Sequence, residues 1–355
     1  MKRITTMIFL TLILSGCSNS SEPNLDGWNQ LPDAIVSGGV PKDGIPSITN
    51  PEWKSASEVN WLADTALVAG VVIDGQAYAF PHAIMDQHEI VNEPNRATPY
   101  TISFCPLTGS SVVFKSTIGG GVKTFGVSGL LLQNNLIMFD RQTDSNWPQL
   151  RLQSDEGVLI NTQLDLIDHT EIEWGSWKIL HPGTMLMSRN TGRDPDSYIP
   201  NLLYSGNRSP GSPPWFRMNY SDTRLQPKIR VLGVYLGNGT KAYAMSSFNN
   251  GRKIINDTID GAKIAVFGDK ASRMIRAFIS TVNGQSLTLR LKDGSDVSSL
   301  GDVQFVDDET ETVWDLNGNA VEGSLKGEKM DRAKSFIAYW FAWSAFNRDT
   351  ELWEE

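Results

Sequence analysis

The chain has 355 residues, a formal net charge of −9 and 40% hydrophobic residues. This length is enough for two domains of ordinary size, each with a buried core. The acidic balance and the lack of basic runs argue against nucleic acid and anionic lipid as partners.

The first residues predict an export signal. Lys2 and Arg3 precede an apolar run over residues 7–14 that is too short to span a bilayer. Leu14-Ser-Gly-Cys17 is typical of a bacterial lipobox, in which cleavage leaves Cys17 as the lipidated first residue. A plain secretory signal is the alternative interpretation.

Residues 1–17 are therefore predicted to be a lipoprotein signal peptide, and residues 18–29 a flexible tether rich in Gly, Ser, Asn and Pro. Loss of Lys2 and Arg3 with the signal would take the net charge from −9 to −11. We expect a protein anchored to a membrane of the cell envelope through Cys17, on the periplasmic face. Ser18 after the cysteine favours the outer membrane in a Gram-negative cell.

A tandem repeat organises the rest of the chain. Val68-Ala-Gly-Val-Val-Ile matches Val231-Leu-Gly-Val-Tyr-Leu, and His88-Glu-Ile-Val-Asn92 matches Arg252-Lys-Ile-Ile-Asn256. Similar spacing between matched blocks is typical of a duplicated domain. The predicted units are a first repeat domain at 30–190, an inter-repeat segment at 191–227 and a second, degenerate repeat domain at 228–355. Trp215 in the inter-repeat segment is expected to be buried.

The predicted elements are mostly strands. Asp74-Gly75 inside an alternating pattern predicts a hairpin over residues 66–78. Further strands are predicted at 101–104, 111–114, 124–132, 136–139, 231–236, 241–245, 262–267, 276–282, 286–291 and 303–305. Helices are predicted at 173–180 and, as an amphipathic helix, at 329–346. The fold class is therefore mainly β, with α+β as the alternative, in two tandem related β-rich domains with few helices.

One repeat holds a Cys/His set that the other lacks. Cys105 is the only thiol left once Cys17 is lipidated, so the mature chain has no intramolecular disulfide. Cys105, His88 and His181 lie in the first repeat. Their approximate counterparts in the second repeat are Gly268, Arg252 and Phe346. The set is thus a candidate metal site, or a catalytic pair of Cys105 and His88.

Four further residues are candidates for orienting these groups or touching a ligand. Glu89 follows His88 directly and His82 precedes it by six residues, each at a predicted strand end. Arg141 and Ser145 lie in a polar stretch and have no evident counterparts in the second repeat.

Three functions remain open at this level. Thiolate and imidazole ligands suit a transition metal, copper more than zinc. Alternatively, His88 or His181 lowers the pKa of Cys105 for acyl or sulfur transfer, so enzymatic activity is undecided. The third possibility is an interaction scaffold in which Cys105 is only a small buried side chain.

Several blocks, in order, resemble a family catalogued as domain of unknown function 3179. They are Gly38-Gly-Val-Pro-Lys-Asp-Gly-Ile-Pro46, His88-Glu-Ile-Val-Asn92, Phe104-Cys-Pro-Leu-Thr-Gly109, Phe125-Gly-Val-Ser-Gly129, the 138–147 stretch and His181-Pro182. The resemblance implies an exported or lipid-anchored protein of a mostly prokaryotic family that has no agreed activity. Some relatives carry a second cysteine where Thr108 stands here, which argues against a two-thiol cycle or a two-cysteine metal clamp.

Overall fold

A computed structural model describes residues 35–198, 207–248, 250–296 and 298–355. Cys17, the lipobox and the predicted tether lie outside these residues. Strands account for 43% and helices for 12%, which confirms the mainly β class. No helix within the described ranges is long and apolar enough to cross a membrane.

The first repeat and the segment before it contain fifteen described strands and two short α-helices. They are β1 (Ile35–Ser37), β2 (Ile48–Thr49), β3 (Trp53–Ser55), β4 (Leu67–Ile73), β5 (Gln76–Pro81), α1 (His82–His88), β6 (Ile90–Glu93), β7 (Tyr100–Cys105), β8 (Ser110–Lys115), β9 (Thr117–Ile118), β10 (Gly121–Val122), β11 (Phe125–Leu132), β12 (Asn135–Asp140), β13 (Asn146–Pro148), β14 (His169–Glu173), α2 (Trp174–Leu180) and β15 (Met185–Met187).

The described part of the second repeat has thirteen strands and one α-helix. They are β16 (Arg230–Leu236), β17 (Gly239–Ala244), β18 (Arg252–Ile259), β19 (Ala262–Asp269), β20 (Met274–Ile279), β21 (Thr281–Val282), β22 (Gln285–Ser286), β23 (Leu289–Leu291), β24 (Gln304–Asp307), β25 (Val313–Asp315), β26 (Ala320–Glu322), β27 (Lys334–Tyr339), α3 (Trp340–Phe346) and β28 (Glu351–Leu352).

The sheets of the two repeats have matching strand orders. The order β14-β4-β5-β15 recurs as β27-β16-β17-β28, the order β6-β7-β8 as β18-β19-β20, and the order β11-β12-β13 as β23-β24-β25. In both repeats the fourth strand in these first orders, β15 or β28, pairs parallel to its neighbour. The strands that begin at the matched Val68 and Val231 blocks are thus topologically equivalent.

Side-chain contacts are repeated as closely as the strand orders. The indole N–H of Trp147 donates to Asp140 at 3.1 Å, and that of Trp314 donates to Asp307 at 2.9 Å. Each aspartate also accepts the backbone N–H three residues further on. The polar blocks shared by the repeats are therefore turns in which an aspartate fixes a buried tryptophan.

The asparagine retained in both repeats joins two sheets. The Asn92 amide donates to the carbonyl of Phe125 at 2.9 Å and accepts its N–H at 2.8 Å. Asn256 makes the same two bonds to Leu289, at 2.8 and 2.9 Å. The backbone N–H and carbonyl at the start of β11 or β23 are therefore hydrogen-bonded to an asparagine side chain rather than to a neighbouring strand.

A glycine in each repeat admits a tryptophan from the helix packed on the sheet. A Cβ at Gly70 would lie 2.5 Å from the ring of Trp177, and one at Gly233 would lie 2.1 Å from Trp343. Such distances are far shorter than a van der Waals contact. Any residue larger than glycine at Gly70 or Gly233 would therefore clash with the tryptophan ring.

Two predictions about local structure are wrong. The helix predicted at 329–346 is the strand β27 followed by the seven-residue helix α3. β27 is held as a strand because all six of its residues pair with β16, and tertiary pairing outweighs helical spacing of aromatic residues. Trp215 is 49% exposed rather than buried.

Two of the hydrophobic cores contain residues of both repeats. One joins β7, β8, β11 and β12 to β16, β17, β27 and α3. The other joins β4, β5, β14 and α2 to β19, β20, β24 and β25. Alternate residues of β4, such as Ala69 and Val71, face a core within the first repeat. The β4 and β16 sheets are thus covered on both faces, one face by each repeat.

Candidate functional site

Cys105 is fully buried at the end of β7. Its exposed fraction is 0%, and its Sγ donates to the carbonyl of Asn134 at 3.7 Å. Burial, and next the negative charge of Glu89, raise the pKa of the thiol to about 11. At neutral pH the sulfur therefore keeps its proton, whereas metal ligation and nucleophilic attack both use the thiolate.

Both ring nitrogens of His88 are occupied by other partners. Nδ1 lies 2.7 Å from the carbonyl of Pro46, and Nε2 lies 2.7 Å from the hydroxyl of Tyr198. These contacts connect the end of α1 to the loop before β2 and to the inter-repeat segment. His88 therefore acts as a buried structural link.

His181 follows α2 in another part of the first repeat. Its ring lies 4.1 Å from that of Trp177, and burial together with Arg276 lowers its pKa to about 4. The residue after α3 with nearly the same backbone angles is Asn347. The true counterpart of His181 is thus Asn347, one residue beyond the predicted Phe346.

The described residues contain no group of three or more His, Cys, Asp and Glu side chains arranged to hold a metal ion. The predicted set of Cys105, His88 and His181 is not assembled in this structure, and the contacts of each residue explain its position without a metal. The copper or zinc hypothesis and the thiol-enzyme hypothesis thus receive no support from the geometry. Both stay predictions.

The strand register corrects the predicted counterpart of Cys105. Asn92 pairs with Thr101, and Asn256 pairs with Ala265, so Cys105 is equivalent to Asp269 rather than Gly268. Arg252, the counterpart of His88, forms an ion pair with Asp269 at 3.2 Å. In the second repeat these two positions hold a salt bridge.

We expect Cys105→Ser to lower the free energy of unfolding by about 1–3 kcal/mol, because a hydroxyl is placed in an apolar core. Urea unfolding measures this, and metal analysis of the purified protein beside the variant measures copper and zinc. Unchanged stability with a metal content that is lost with the thiol would contradict the packing role and support the metal hypothesis.

Arg141 and Ser145 also have structural partners. Arg141 donates to Asp43 at 2.6 Å and to Ser47 at 3.2 Å, which fixes the loop before β2. Ser145 Oγ accepts the N–H of Leu159 at 3.1 Å. Ser145 does have a counterpart, because Thr312 accepts the N–H of Leu325 in the same way at 3.2 Å.

A cleft of about 810 Å³ lies between the repeats and is here called the inter-repeat cleft. His82 and Phe104 line it from the first repeat. The inter-repeat segment and the second repeat contribute the cationic residues. These are Arg208, Lys228, Arg230, Lys270 and Arg273.

Three of these five cations have carboxylate partners. Arg208 pairs with Asp86 at 2.5 Å, Arg230 pairs with Glu171, and Arg273 pairs with Glu173 at 2.8 Å. Among the described residues, Lys228 and Lys270 have no carboxylate partner, in a chain whose net charge is −9. Burial, and next Arg208, lower the pKa of Lys228 to about 8.

His82 is a buried residue that lines the inter-repeat cleft. Its Nε2 atom is buried, has no hydrogen-bond partner among the described residues, and lies 3.5 Å from Glu171 Oε2. Burial, and then the positive charge of Arg230, lower its pKa well below the ordinary value, so the ring is neutral at pH 7. An unsatisfied imidazole nitrogen beside a cleft can hydrogen-bond a ligand.

The Phe104-Cys-Pro-Leu-Thr-Gly109 turn forms one wall of the cleft. The Phe104 and His82 rings are in tilted contact, with centroids 4.5 Å apart, and the Thr108 carbonyl accepts the N–H of Tyr339 at 2.8 Å. Gly109 has a φ of 58°, and a Cβ there would lie 2.8 Å from the Tyr339 ring. The motif thus places the first repeat directly against the second.

Sequence reasoning missed the cationic residues of the cleft. They come from positions that are widely separated in the chain, and three of them lie at or near the repeat junction. The sequence signal that could have indicated the cleft was the group of basic residues around the start of the second repeat, Arg208, Lys228 and Arg230. Among the predicted residues that the structure describes, His82 has a buried ring nitrogen without a hydrogen-bond partner, and Glu89, outside the cleft, has a buried carboxyl group without an ion pair.

The fold and the cleft define a class: a duplicated β protein whose repeats share cores and enclose a cationic cleft. The Protein of unknown function (DUF3179) family matches residues 42–350, and the chain belongs to this family. No curated protein and no solved structure matches the chain.

Proposed function

We propose that this protein binds a small organic anion, a carboxylate or a phosphate ester with an apolar part, in the inter-repeat cleft. The observation that carries the proposal is a cleft of about 810 Å³ in an acidic chain whose lining includes two cations, Lys228 and Lys270, without a carboxylate partner among the described residues. Such a cleft attracts anions by its local field. Membrane anchoring through Cys17 stays a prediction from the lipobox.

The chemistry of the lining supports an anion that also has an apolar part. Leu67, Phe104, Ile229 and Met245 provide apolar surface beside the charges. The neutral His82 is a lining residue whose buried Nε2 has no hydrogen-bond partner among the described residues. Pockets of this kind bind small molecules through mainly apolar contact with a few placed polar groups.

Calorimetry with phenyl phosphate, benzoate and neutral benzyl alcohol tests the proposal. We expect saturable binding of the two anions that weakens with added salt, and no binding of the alcohol. Lys270→Glu places a negative charge at the rim and is expected to weaken anion binding about tenfold.

Lys326→Glu is the matched control, because Lys326 is exposed on the second repeat and does not line the cleft. It changes the net charge equally and is expected to leave binding unchanged. Equal losses in the two variants would mean that only net charge matters, and absence of anion binding would refute the proposal.

A further inference from the structure

A second pocket, distinct from the inter-repeat cleft, lies inside the first repeat and is closed by the inter-repeat segment. Its volume is about 250 Å³. The walls are mainly apolar side chains, among them Ile45, Leu107, Val127, Leu131 and Phe216. We call it the Glu89 pocket, because Glu89 is the one charged residue among those that line it.

Glu89 is buried without a partner. It is 6% exposed, and its carboxyl group has no hydrogen bond or ion pair among the described residues. The residue ends α1 with a φ of 56°, in the left-handed region that side-chain-bearing residues rarely adopt. The backbone thus holds a carboxyl group at an apolar pocket.

An unpaired buried carboxyl group is costly to ionise. Burial, and next the charge of Asp86, raise the pKa of Glu89 to about 8. Arginine partners are present for Asp86 and Glu171 but not for Glu89. A ligand that brings a cation with an apolar body satisfies both the carboxyl group and the walls.

We propose that the Glu89 pocket binds an apolar molecule that carries a protonated amine, with the ammonium group paired to the Glu89 carboxylate. The occupant is thus opposite in charge to the ligand of the inter-repeat cleft. This inference does not depend on the proposed function.

Calorimetry with hexylamine, and with hexanol as the neutral match, tests this inference on the full mature chain. We expect hexylamine to bind and hexanol to bind at least about tenfold more weakly, because a charge-assisted hydrogen bond is lost. Glu89→Gln keeps the shape and removes the charge, so the preference for the amine should disappear. Glu322→Gln, an equal charge change at an exposed position outside the pocket, should preserve it.

Leu131→Phe fills the pocket without altering Glu89 and is a second variant should Glu89→Gln unfold. It is expected to weaken hexylamine binding about tenfold, since the pocket is small. Equal affinity for hexanol and hexylamine, retention of the preference in Glu89→Gln, or no hexylamine binding would each overturn the inference.

Discussion

The first repeat expressed alone, as residues 30–190, is expected not to fold cooperatively. Without the second repeat, one face of the β4 sheet and the α2 tryptophans Trp174 and Trp177 lose the part of their core that β19, β20, β24 and β25 provide. The core around β7, β8 and β11 loses β16, β27 and α3 at the same time. Loss of half of two cores exceeds the ordinary stability of a domain, which is about 5–15 kcal/mol. Circular dichroism and amide exchange measure the outcome.

Co-expression of residues 30–198 with residues 207–355 as a separate chain is the matched control. The two chains together restore both shared cores, so we expect them to associate and unfold in one transition. A cooperative thermal transition and protected amides in the first repeat alone would show that the shared cores are dispensable.

The sequence predicted the mainly β fold class, and it predicted local structure where short-range chemistry determines it. Asp74-Gly75 predicted the β4–β5 hairpin, and both residues have positive φ. The repeated blocks also indicated equivalent strands. The β27 strand was missed because its aromatic residues continue into α3 with helical spacing. The equivalent part of the first repeat is also a strand followed by a short helix, β14 and α2. Comparison with it would have predicted a strand at β27.

The site was harder to predict, because a residue that differs between repeats need not be functional. His88 differs from Arg252 since each satisfies different local partners, Tyr198 in one case and Asp269 in the other. The cleft cations are brought together only by the packing of the repeats. The residue pattern within a single segment of the sequence gives no information on how the two repeats pack together.

Asn92→Ala is expected to lower the free energy of unfolding by about 2–5 kcal/mol. The Asn92 side chain is 0% exposed and is the partner of both the N–H and the carbonyl of Phe125. Each buried backbone group left unsatisfied costs about 1–3 kcal/mol. The loss would also free the start of β11 from β6, the strand that carries Asn92.

Asn256→Ala removes the equivalent two bonds to Leu289 at a position that is exposed to solvent. Water can replace the lost partner there, so we expect a cost below about 1.5 kcal/mol. Urea unfolding of both variants gives the two values under identical conditions. The two backbone bonds are the same, but Asn92 is buried and also accepts the hydroxyl of Thr101 at 3.1 Å. Equal costs would therefore show that neither burial nor this third bond adds to the stabilisation. A larger cost for Asn92→Ala would identify the buried contact between β6 and β11 as the more stabilising of the two.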